Sequence, residues 1–411
     1  MTSRERVRAV LNGQTPDYAP NGLGGCETAG MHVLAYYKLL EALELPVESE
    51  PPKICTFMTN AVFEIDAIKK MRGDIILLAS PRMCKSFYRN NKNNNSSLWK
   101  EQILWDKKFM IPARDIFTQK TDGSVVWETA GNSICPKGGY FFDWLHSENF
   151  YDDFDIDKIN GILSNYHPPH ELSEELLRDL ENSAKFLYEE TDLSICLGET
   201  ITDLQIQPGG MTSWLILLKE RPEIMREFLD RSVRSALSQL KQLNQAVGKY
   251  IDILSVANDF GDNRDVLIGA DLWREIYKQP YLDLFGGWKK ITGPSGMKIN
   301  FHTCGSVYNI MQDLIDCGVD IINPVQISAD NMQAEKIKSK FGDKIILWGG
   351  AYDPQLFDIS ESYGEVYKKV SDNINILKKN GGFIFSGVHN LPPEMPKTHI
   401  AAMLDAWSDN K

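Results

Sequence analysis

The sequence of 411 residues predicts an α/β fold, a (β/α)₈ TIM barrel with an N-terminal extension and an insertion in its first half. From residue 173 onward, short apolar runs alternate with amphipathic helical stretches, which is typical of parallel strands joined by right-handed crossover helices. Most of these runs are followed by polar residues, as at the carboxyl ends of barrel strands. An open doubly wound sheet is the alternative, disfavoured because no G-x-G-x-x-G follows any predicted strand.

The first 50 residues are predicted to contribute helices that precede the barrel. Thr2 and Glu5 have the spacing of a capping box, so a short helix begins the chain. Residues 16–30 are rich in Pro and Gly and are predicted to be extended, and a helix is predicted over 31–43.

The first strand is predicted at residues 73–79, GDIILLA, a continuous apolar run that is typical of a strand buried on both faces. Residues from about 85 to 150 are predicted to form an insertion or hairpin outside the main repeat. They include the β-prone SVVWET near 124–129. Residues 1–411 are thus interpreted as a single barrel domain.

The second half of the chain contains the rest of the repeat. Six further strands are predicted at 192–198, 250–256, 296–302, 319–324, 344–350 and 381–387. The amphipathic helices are predicted at 213–246, 271–290, 305–317, 331–341 and 361–379. These runs give seven strands in all, so the eighth must be irregular or lie in the first half.

Composition limits the classes of function. The formal net charge is -12, and Lys and Arg do not cluster into a stripe that could follow a phosphate backbone, which argues against a nucleic-acid partner. No stretch approaches the ~20 apolar residues of a membrane span, and the N-terminus has no apolar signal-peptide core. We therefore expect a cytoplasmic protein. The seven cysteines have no paired spacing, so we expect reduced thiols.

Polar residues with chemical capacity follow the predicted strands. Because the carboxyl ends of parallel barrel strands meet at one face, we expect these side chains to converge. We predict that Asp259 and Glu199 act as acid or base, since carboxylates at this face are placed for proton transfer. The alternatives are that they ligate a metal, cap helices or pair with Arg264 or Lys289. The predicted substrate-binding residues are Asn323, Gln326, Trp348 and Asn390.

His302 and Cys304 form an H-x-C pair at the end of a predicted strand. Residues two apart in an extended strand lie about 6.5–7 Å from each other, so joint ligation of one ion needs a bend, which Gly305 permits. Imidazole plus thiolate favours zinc. His389, after the last strand, is the predicted third ligand. The alternative is that His302 bonds a backbone carbonyl and Cys304 is a small hydrophobic core residue.

Three segments extend this interpretation. HTCGSVYNIMQDLIDCGVDIINPVQ, FGDKIILWGGAYDPQLF and GGFIFSGVHNLPPEMPKTHIAAMLDAW resemble, in order and spacing, the C-terminal half of the uroporphyrinogen decarboxylase superfamily. SRERVRAVLNGQTPDYAP resembles the first segment of that family. The resemblance implies a (β/α)₈ barrel and one of two activities: decarboxylation in the heme pathway, or cobalamin-dependent methyl transfer that uses zinc.

The two activities differ in residues that this chain has or lacks. The decarboxylases hold carboxylates with paired arginines after the first turn, where this chain has NGLGGCETAGMH and no arginine. The methyltransferases hold zinc with an H-x-C pair, matched by His302 and Cys304, and with a cysteine after the last strand, where this chain has His389. The resemblance therefore implies the methyltransferase branch.

In that branch, zinc acts as a Lewis acid while a methyl group moves between a cobalamin and a small methylated substrate, such as a methoxylated aromatic compound, or a thiol. The chain has no D-x-H-x-x-G cobalamin motif, so the cobalamin would be carried by a separate corrinoid protein. The alternatives are a decarboxylase of a porphyrinogen or smaller acid, and a non-catalytic binding protein on the same barrel.

Overall fold

The computed structural model describes most of the chain. The described residues are 1–46, 51–54, 59–78, 99–113, 115–130, 132–142, 155–165, 171–198, 204, 210–293 and 296–410. Glu199 lies outside them, so its predicted role as acid or base stays a prediction.

The first half of the chain contributes one strand of the main sheet, the insertion and five helices. In chain order these are α1 (Ser3–Leu11), α2 (Val33–Ala42), α3 (Ile65–Lys70), β1 (Ile75–Leu78), β2 (Trp99–Leu104), β3 (Lys107–Pro112), β4 (Phe117–Gln119), β5 (Val125–Trp127), β6 (Ser133–Cys135), α4 (Ile156–Asn165) and α5 (Glu174–Glu190). The capping box at the start of α1 is confirmed, because Thr2 Oγ1 accepts from Glu5 N and a Glu5 carboxylate oxygen accepts from Thr2 N.

The second half alternates strands and helices. Its elements are β7 (Ser194–Leu197), α6 (Gly210–Glu220), α7 (Pro222–Val247), β8 (Ile253–Ala257), α8 (Ala270–Ile276), α9 (Lys278–Thr292), β9 (Lys298–His302), α10 (Met311–Cys317), β10 (Ile321–Asn323), α11 (Ala334–Phe341), β11 (Ile346–Trp348), α12 (Tyr363–Leu377), β12 (Phe383–Ile384) and α13 (Lys397–Asp409). Six of the seven strands of the parallel sheet lie inside the apolar runs that predicted them, and β8 extends one residue beyond its run, to Ala257.

Three helix predictions were wrong in their bounds. The stretch 271–290 is divided at Tyr277 into α8 and α9, because Pro280 has no N–H to donate to Ile276 O. The stretch 213–246 is not one helix, because Pro222 has no N–H to donate and forces Arg221 out of the helical region, so α6 ends and α7 begins there. The helix predicted over 305–317 begins only at Met311, because Gly305 adopts a φ of +80° and the chain turns there.

Seven parallel strands form a single sheet in the order β1-β7-β8-β9-β10-β11-β12. Each new strand after β7 is added beside its predecessor, as repeated right-handed crossovers produce. One face of the sheet packs on the helices. The other face buries side chains from successive strands against one another, among them Ile75, Cys196, Ile253, Ile321 and Trp348. The fold is therefore an α/β fold with a parallel sheet of the TIM type.

The segment before α2 makes backbone contacts with both edge strands of this sheet. Gly22 N donates to Phe385 O and Phe385 N donates to Pro20 O, each over 2.8 Å, just beyond β12. On the other side Asp74 N donates to Asn21 O over 2.8 Å, next to β1. Residues 20–22 thus link the two edges by hydrogen bonds without forming a regular strand.

The insertion consists of two small antiparallel sheets outside the parallel one, β2-β3 and β4-β5-β6. The second sheet has an aromatic core in which Phe117 stacks on Trp127 at 5.2 Å between ring centroids. The first is joined to the segment before α3 by hydrogen bonds of Met110 with Pro52 and Ile54. No described helix has the length and apolar content needed to cross a bilayer, and every cysteine in the described residues is free.

His32 should make the stability of the protein depend on pH. The ring is buried, its Nδ1 accepts from Leu34 N at the start of α2, and burial lowers the pKa of His32 to about 4. Between about pH 6.5 and 4 the unfolded chain therefore binds a proton that the folded chain does not, so stability falls as the pH falls. We expect this difference in proton binding at His32 to lower the unfolding free energy of the wild type by about 3 kcal/mol between pH 6.5 and 4.

The measurement is urea unfolding at pH 7, 5.5 and 4 for the wild type and for His32→Asn, whose amide oxygen can still cap α2 but does not titrate. The difference between the two unfolding free energies should shift in favour of His32→Asn as the pH falls. A difference that stays constant with pH would show that His32 does not titrate below its normal pKa.

Candidate metal centre

The predicted functional residues in the described part of the chain lie where the parallel strands end. His302, Asn323 and Trp348 are the last residues of β9, β10 and β11. Asp259 follows β8 by two residues, and His389 follows β12 by five. We call this end of the sheet its C-terminal edge.

The chain bends sharply after β9, and the bend brings the H-x-C pair together. Neighbouring backbone holds the strand end, because Asn258 N donates to His302 O and Thr303 N donates to Asn323 O, at 2.9 and 2.8 Å. Gly305, with its positive φ, then turns the chain back. As a result, Cys304 Sγ lies 3.4 Å from His302 Nε2.

His389 completes a cluster of three potential ligands. One ligand atom from each of His302, Cys304 and His389 lies within 4.8 Å of the other two, and the two imidazole rings are 5.3 Å apart between centroids in an edge-to-face arrangement. Nitrogen and sulfur ligands on one tetrahedral zinc ion lie ~3.6 Å apart, given Zn–N of about 2.0 Å and Zn–S of about 2.3 Å. The separation between His302 and Cys304 is close to that value, and the donor set suits zinc.

Asp259 lies beside the cluster on the solvent side. Its Oδ1 accepts from Cys304 N over 2.9 Å and is 3.7 Å from His302 Nε2. The side chain is 56% exposed, whereas that of His302 is 4% exposed. The carboxylate therefore fixes the backbone of Cys304 and also reaches the space in front of the cluster.

Burial keeps two members of the cluster neutral in the absence of a cation. It raises the pKa of Cys304 far above that of a free thiol, and the carboxylate of Asp259 adds to the rise. Burial, and then the neighbouring His302, lowers the pKa of His389 to about 4. A neutral imidazole is the form that binds metal, and a bound divalent cation would favour the Cys304 thiolate.

The amide of Asn323 faces protein groups on all sides. Its Nδ2 donates to Trp348 O over 3.3 Å, and its Oδ1 lies 2.8 Å from both His302 Nδ1 and Thr28 Oγ1. Thr28 was not singled out from the sequence. It belongs to the Gly-rich segment 21–32, which has no periodic pattern that could indicate a contact between its hydroxyl and β10.

The other predicted substrate-binding residues differ in how accessible they are. Gln326 accepts from Gly305 N over 2.8 Å and donates to Asn263 Oδ1 over 2.7 Å, so its amide holds two loops together. Trp348 is fully buried inside the sheet. Asn390 accepts from Gly30 N over 2.9 Å, and among the described residues nothing accepts from its Nδ2. Their roles in substrate binding remain predictions.

Two glycines allow the loops after β8 and β9 to touch. A Cβ on Gly305 would lie 2.5 Å from Asp262 O, and a Cβ on Gly261 would lie 2.7 Å from Cys304 O. Real Cβ atoms do not approach a carbonyl oxygen so closely, so both positions need glycine. This contact holds Cys304 in the bend.

We expect Gly305→Ala to lower the unfolding free energy by about 3 kcal/mol, because the positive φ and the overpacking each cost on the order of 1–3 kcal/mol. Urea unfolding measures this loss. The matched control is Gly13→Ala, since Gly13 has a φ of +70° but no atom within 4 Å of an added Cβ. Equal losses in the two variants would show that the loop contact does not constrain position 305.

The fold and the clustered ligands define an α/β protein with a candidate metal centre at the C-terminal edge of its sheet. The family profile of uroporphyrinogen decarboxylase (URO-D) matches residues 206–409. This part of the chain belongs to the URO-D superfamily, and the resemblance stated from its motifs is confirmed. The match does not extend to the N-terminal segment that the motifs also linked to the family.

One solved structure supports the fold, and a second shows a weaker likeness. A methyltransferase from Methanosarcina mazei is similar over 100% of this chain and 99% of its own, with a TM-score of 0.54 and 14% identity. The match with xylanase 10B from Thermotoga maritima covers 64% of this chain and 92% of the xylanase chain, with 12% identity and a TM-score of only 0.34. At these identities the likeness to the first establishes the fold alone. No curated protein sequence matches the chain.

Proposed function

We propose that this chain is a zinc-dependent methyltransferase of the URO-D superfamily. It would move a methyl group between a small methylated substrate, such as a methoxylated aromatic compound, or a thiol, and a cobalamin carried on a separate corrinoid protein. The reaction would take place in the cytoplasm, with no nucleic acid or membrane as partner.

The observation that carries this proposal is the cluster of His302, Cys304 and His389 at the C-terminal edge. Two imidazoles and one thiolate are ligands that zinc prefers, and three protein ligands leave the fourth position of a catalytic site open. When bound there, zinc would supply Lewis acidity, which withdraws charge from a substrate oxygen or sulfur. The fold of the methyltransferase from Methanosarcina mazei agrees with this assignment.

The protein residues would prepare the site and move the proton. His302 and His389 would hold ring nitrogens toward the space that they share with Cys304. Asp259 is placed at the solvent side of the cluster, so its carboxylate would take the proton from a thiol acceptor or return one to a leaving oxygen. Glu199, the other predicted acid or base, remains part of this proposal.

Substrate contacts would come from the rim of the cluster. Asn390 is adjacent to His389, and its Nδ2 is a donor with no acceptor among the described residues. It would hydrogen-bond an oxygen of the substrate. Gln326 and Asn323 would act chiefly by fixing the loops and the ring of His302, and Trp348 would support the floor of the site from inside the sheet.

The whole chain would form one closed barrel domain. In this proposal residues 20–22 take the eighth position between β12 and β1, which their hydrogen bonds to both edges support. A closed ring of strands would gather the cluster residues around one opening. The corrinoid protein would dock over this opening, where its cobalt could reach the substrate.

The test uses purified zinc-loaded protein with free methylcobalamin, and separately with free cob(I)alamin. A panel of thiols is added as acceptors to the first, and a panel of methoxylated aromatic compounds is added as donors to the second. Methyl transfer should change the cobalt absorption spectrum with at least one compound. Asp259→Asn should lower the rate but keep the zinc, whereas Cys304→Ser should lose both.

A spectrum that does not change with any compound, for protein that holds zinc, would argue against methyl transfer. Incubation with uroporphyrinogen is a separate arm, read by chromatography of the porphyrin products. Loss of carboxyl groups in that arm would favour the decarboxylase.

A further inference from the structure

We infer that Asn323, supported by Thr28, is the positioning residue that fixes the ring of His302 with its Nε2 lone pair directed at the metal site. The inference deepens the proposed function, because it rests on His302 being a ligand of the proposed zinc ion.

The orientation of the Asn323 amide is set by a backbone carbonyl. Trp348 O can only accept a hydrogen bond, so the group that faces it at 3.3 Å must be the amide nitrogen, Nδ2. The amide oxygen, Oδ1, then faces the opposite way, toward His302 and Thr28. Asn323 is completely buried, so no solvent exchange competes with these bonds.

This orientation determines which nitrogen of His302 carries the proton. Oδ1 of Asn323 has no proton to give, so His302 Nδ1, 2.8 Å away, must be the donor. A neutral imidazole has one N–H, which leaves a lone pair on Nε2. Nε2, which carries this lone pair, lies 3.4 Å from Cys304 Sγ. Metal-binding histidines usually donate their second nitrogen in this way.

Thr28 supplies the second donor to the same oxygen. Its Oγ1 lies 2.8 Å from Asn323 Oδ1, across 295 positions of sequence, and Thr28 is 3% exposed. Cys26 Sγ lies 3.7 Å from the same hydroxyl oxygen of Thr28. Burial raises the pKa of Cys26 to about 12, so Cys26 is a thiol that can donate to Thr28 and leave the hydroxyl proton for Asn323.

The N-terminal segment therefore contributes to the geometry of both histidines. Through Thr28 it restrains Asn323 and, with it, the ring of His302. Through Gly30 N it binds the amide of Asn390, which is adjacent to His389. The hydrogen bonds between Leu391 and both Gly30 and His32 hold this contact in place.

The experiment measures zinc affinity by competition with a chromophoric chelator for the full chain and its variants. Asn323→Leu, which keeps the volume and removes the amide, should weaken zinc binding by about 10- to 100-fold. Thr28→Val should weaken it by about 3- to 10-fold, the equivalent of one hydrogen bond. Thr28→Ser, which keeps the hydroxyl, should lie within about twofold of the wild type.

The double variant separates a positioning role from a general loss of stability. If Thr28 acts through Asn323, Thr28→Val should have no further effect on zinc binding in the Asn323→Leu background. Additive losses would overturn the inference, as would wild-type affinity in Asn323→Leu. The matched control is Thr191→Val, which removes a hydroxyl that donates to Leu187 O at the C-terminal end of α5, and it should leave zinc affinity unchanged.

A second readout does not require zinc. In metal-free protein labelled with nitrogen-15 histidine, NMR reports which ring nitrogen of His302 is protonated, with His302→Gln used for assignment. The proton should be on Nδ1 in the wild type and should redistribute in Asn323→Leu. A proton on Nε2 in the wild type would overturn the inference. Wild-type protein that has the proton on Nδ1 but binds no zinc would instead refute the proposed function alone. If Asn323→Leu does not fold, Thr28→Val provides both readouts.

Discussion

Wild-type protein purified with zinc should hold about one ion per chain, and Cys304→Ala should hold almost none. Structural zinc sites with four ligands bind with about 10–16 kcal/mol, so one ligand is worth on the order of 3 kcal/mol, or about 100-fold in affinity. Cys304 is the one thiol in the cluster, and its loss also removes the negative charge that offsets the cation. Elemental analysis and chelator competition measure the loss.

The control for this prediction is Cys317→Ala. Cys317 is also a buried free cysteine, but it is the last residue of α10 and does not belong to the cluster. Its Sγ lies 3.5 Å from Lys278 O. It should lose some stability and keep the zinc. If Cys304→Ala and Cys317→Ala hold the same amount of zinc, Cys304 is not a ligand.

His389→Ala should weaken zinc binding about as strongly, by about 100-fold, and His389→Cys should restore it with a different ligand set. The resemblance to the methyltransferase branch implies a cysteine at this position, so we expect the backbone after β12 to accommodate a thiolate. X-ray absorption at the zinc edge should detect one sulfur ligand in the wild type and two in His389→Cys. The second thiolate would also lower the net charge of the centre and make it a weaker Lewis acid.

The control here is His32→Asn, which removes another buried histidine and should keep the zinc. One sulfur in both the wild type and His389→Cys would place residue 389 outside the ligand sphere. The prediction would then fail even if His389→Ala lowered the zinc content, since that loss could arise from a disturbed loop.

The alternating half of the fold could be predicted from the sequence because each buried parallel strand is a short, continuous apolar run. The apolar run GMKINFH, for example, contains the whole of β9. Helix breaks were harder to place. The amphipathic pattern continues across Arg221, and there only the proline at 222 shows that the backbone cannot remain helical.

The first half was less readable for a physical reason. Three hydrogen bonds from residues 20–22 to the two edges of the sheet join backbone atoms, and backbone hydrogen bonds leave no side-chain pattern. The H-x-C pair was visible because both side chains belong to one strand end. The contact of Thr28 with Asn323 was not visible, because nothing local in either segment specifies its partner 295 positions away.

The ties between the two ends of the sequence have a consequence for biosynthesis. Gly30 binds Asn390 across 360 positions, and Trp407 Nε1 donates to Ala19 O across 388. A nascent chain on the ribosome cannot make these bonds until Asn390 and Trp407 have been synthesised. Contacts between such distant positions form late and slowly. The proposed metal site could therefore form only after His389 and Asn390 have left the ribosome, and a chain that stalls before them would lack one of the three clustered side chains.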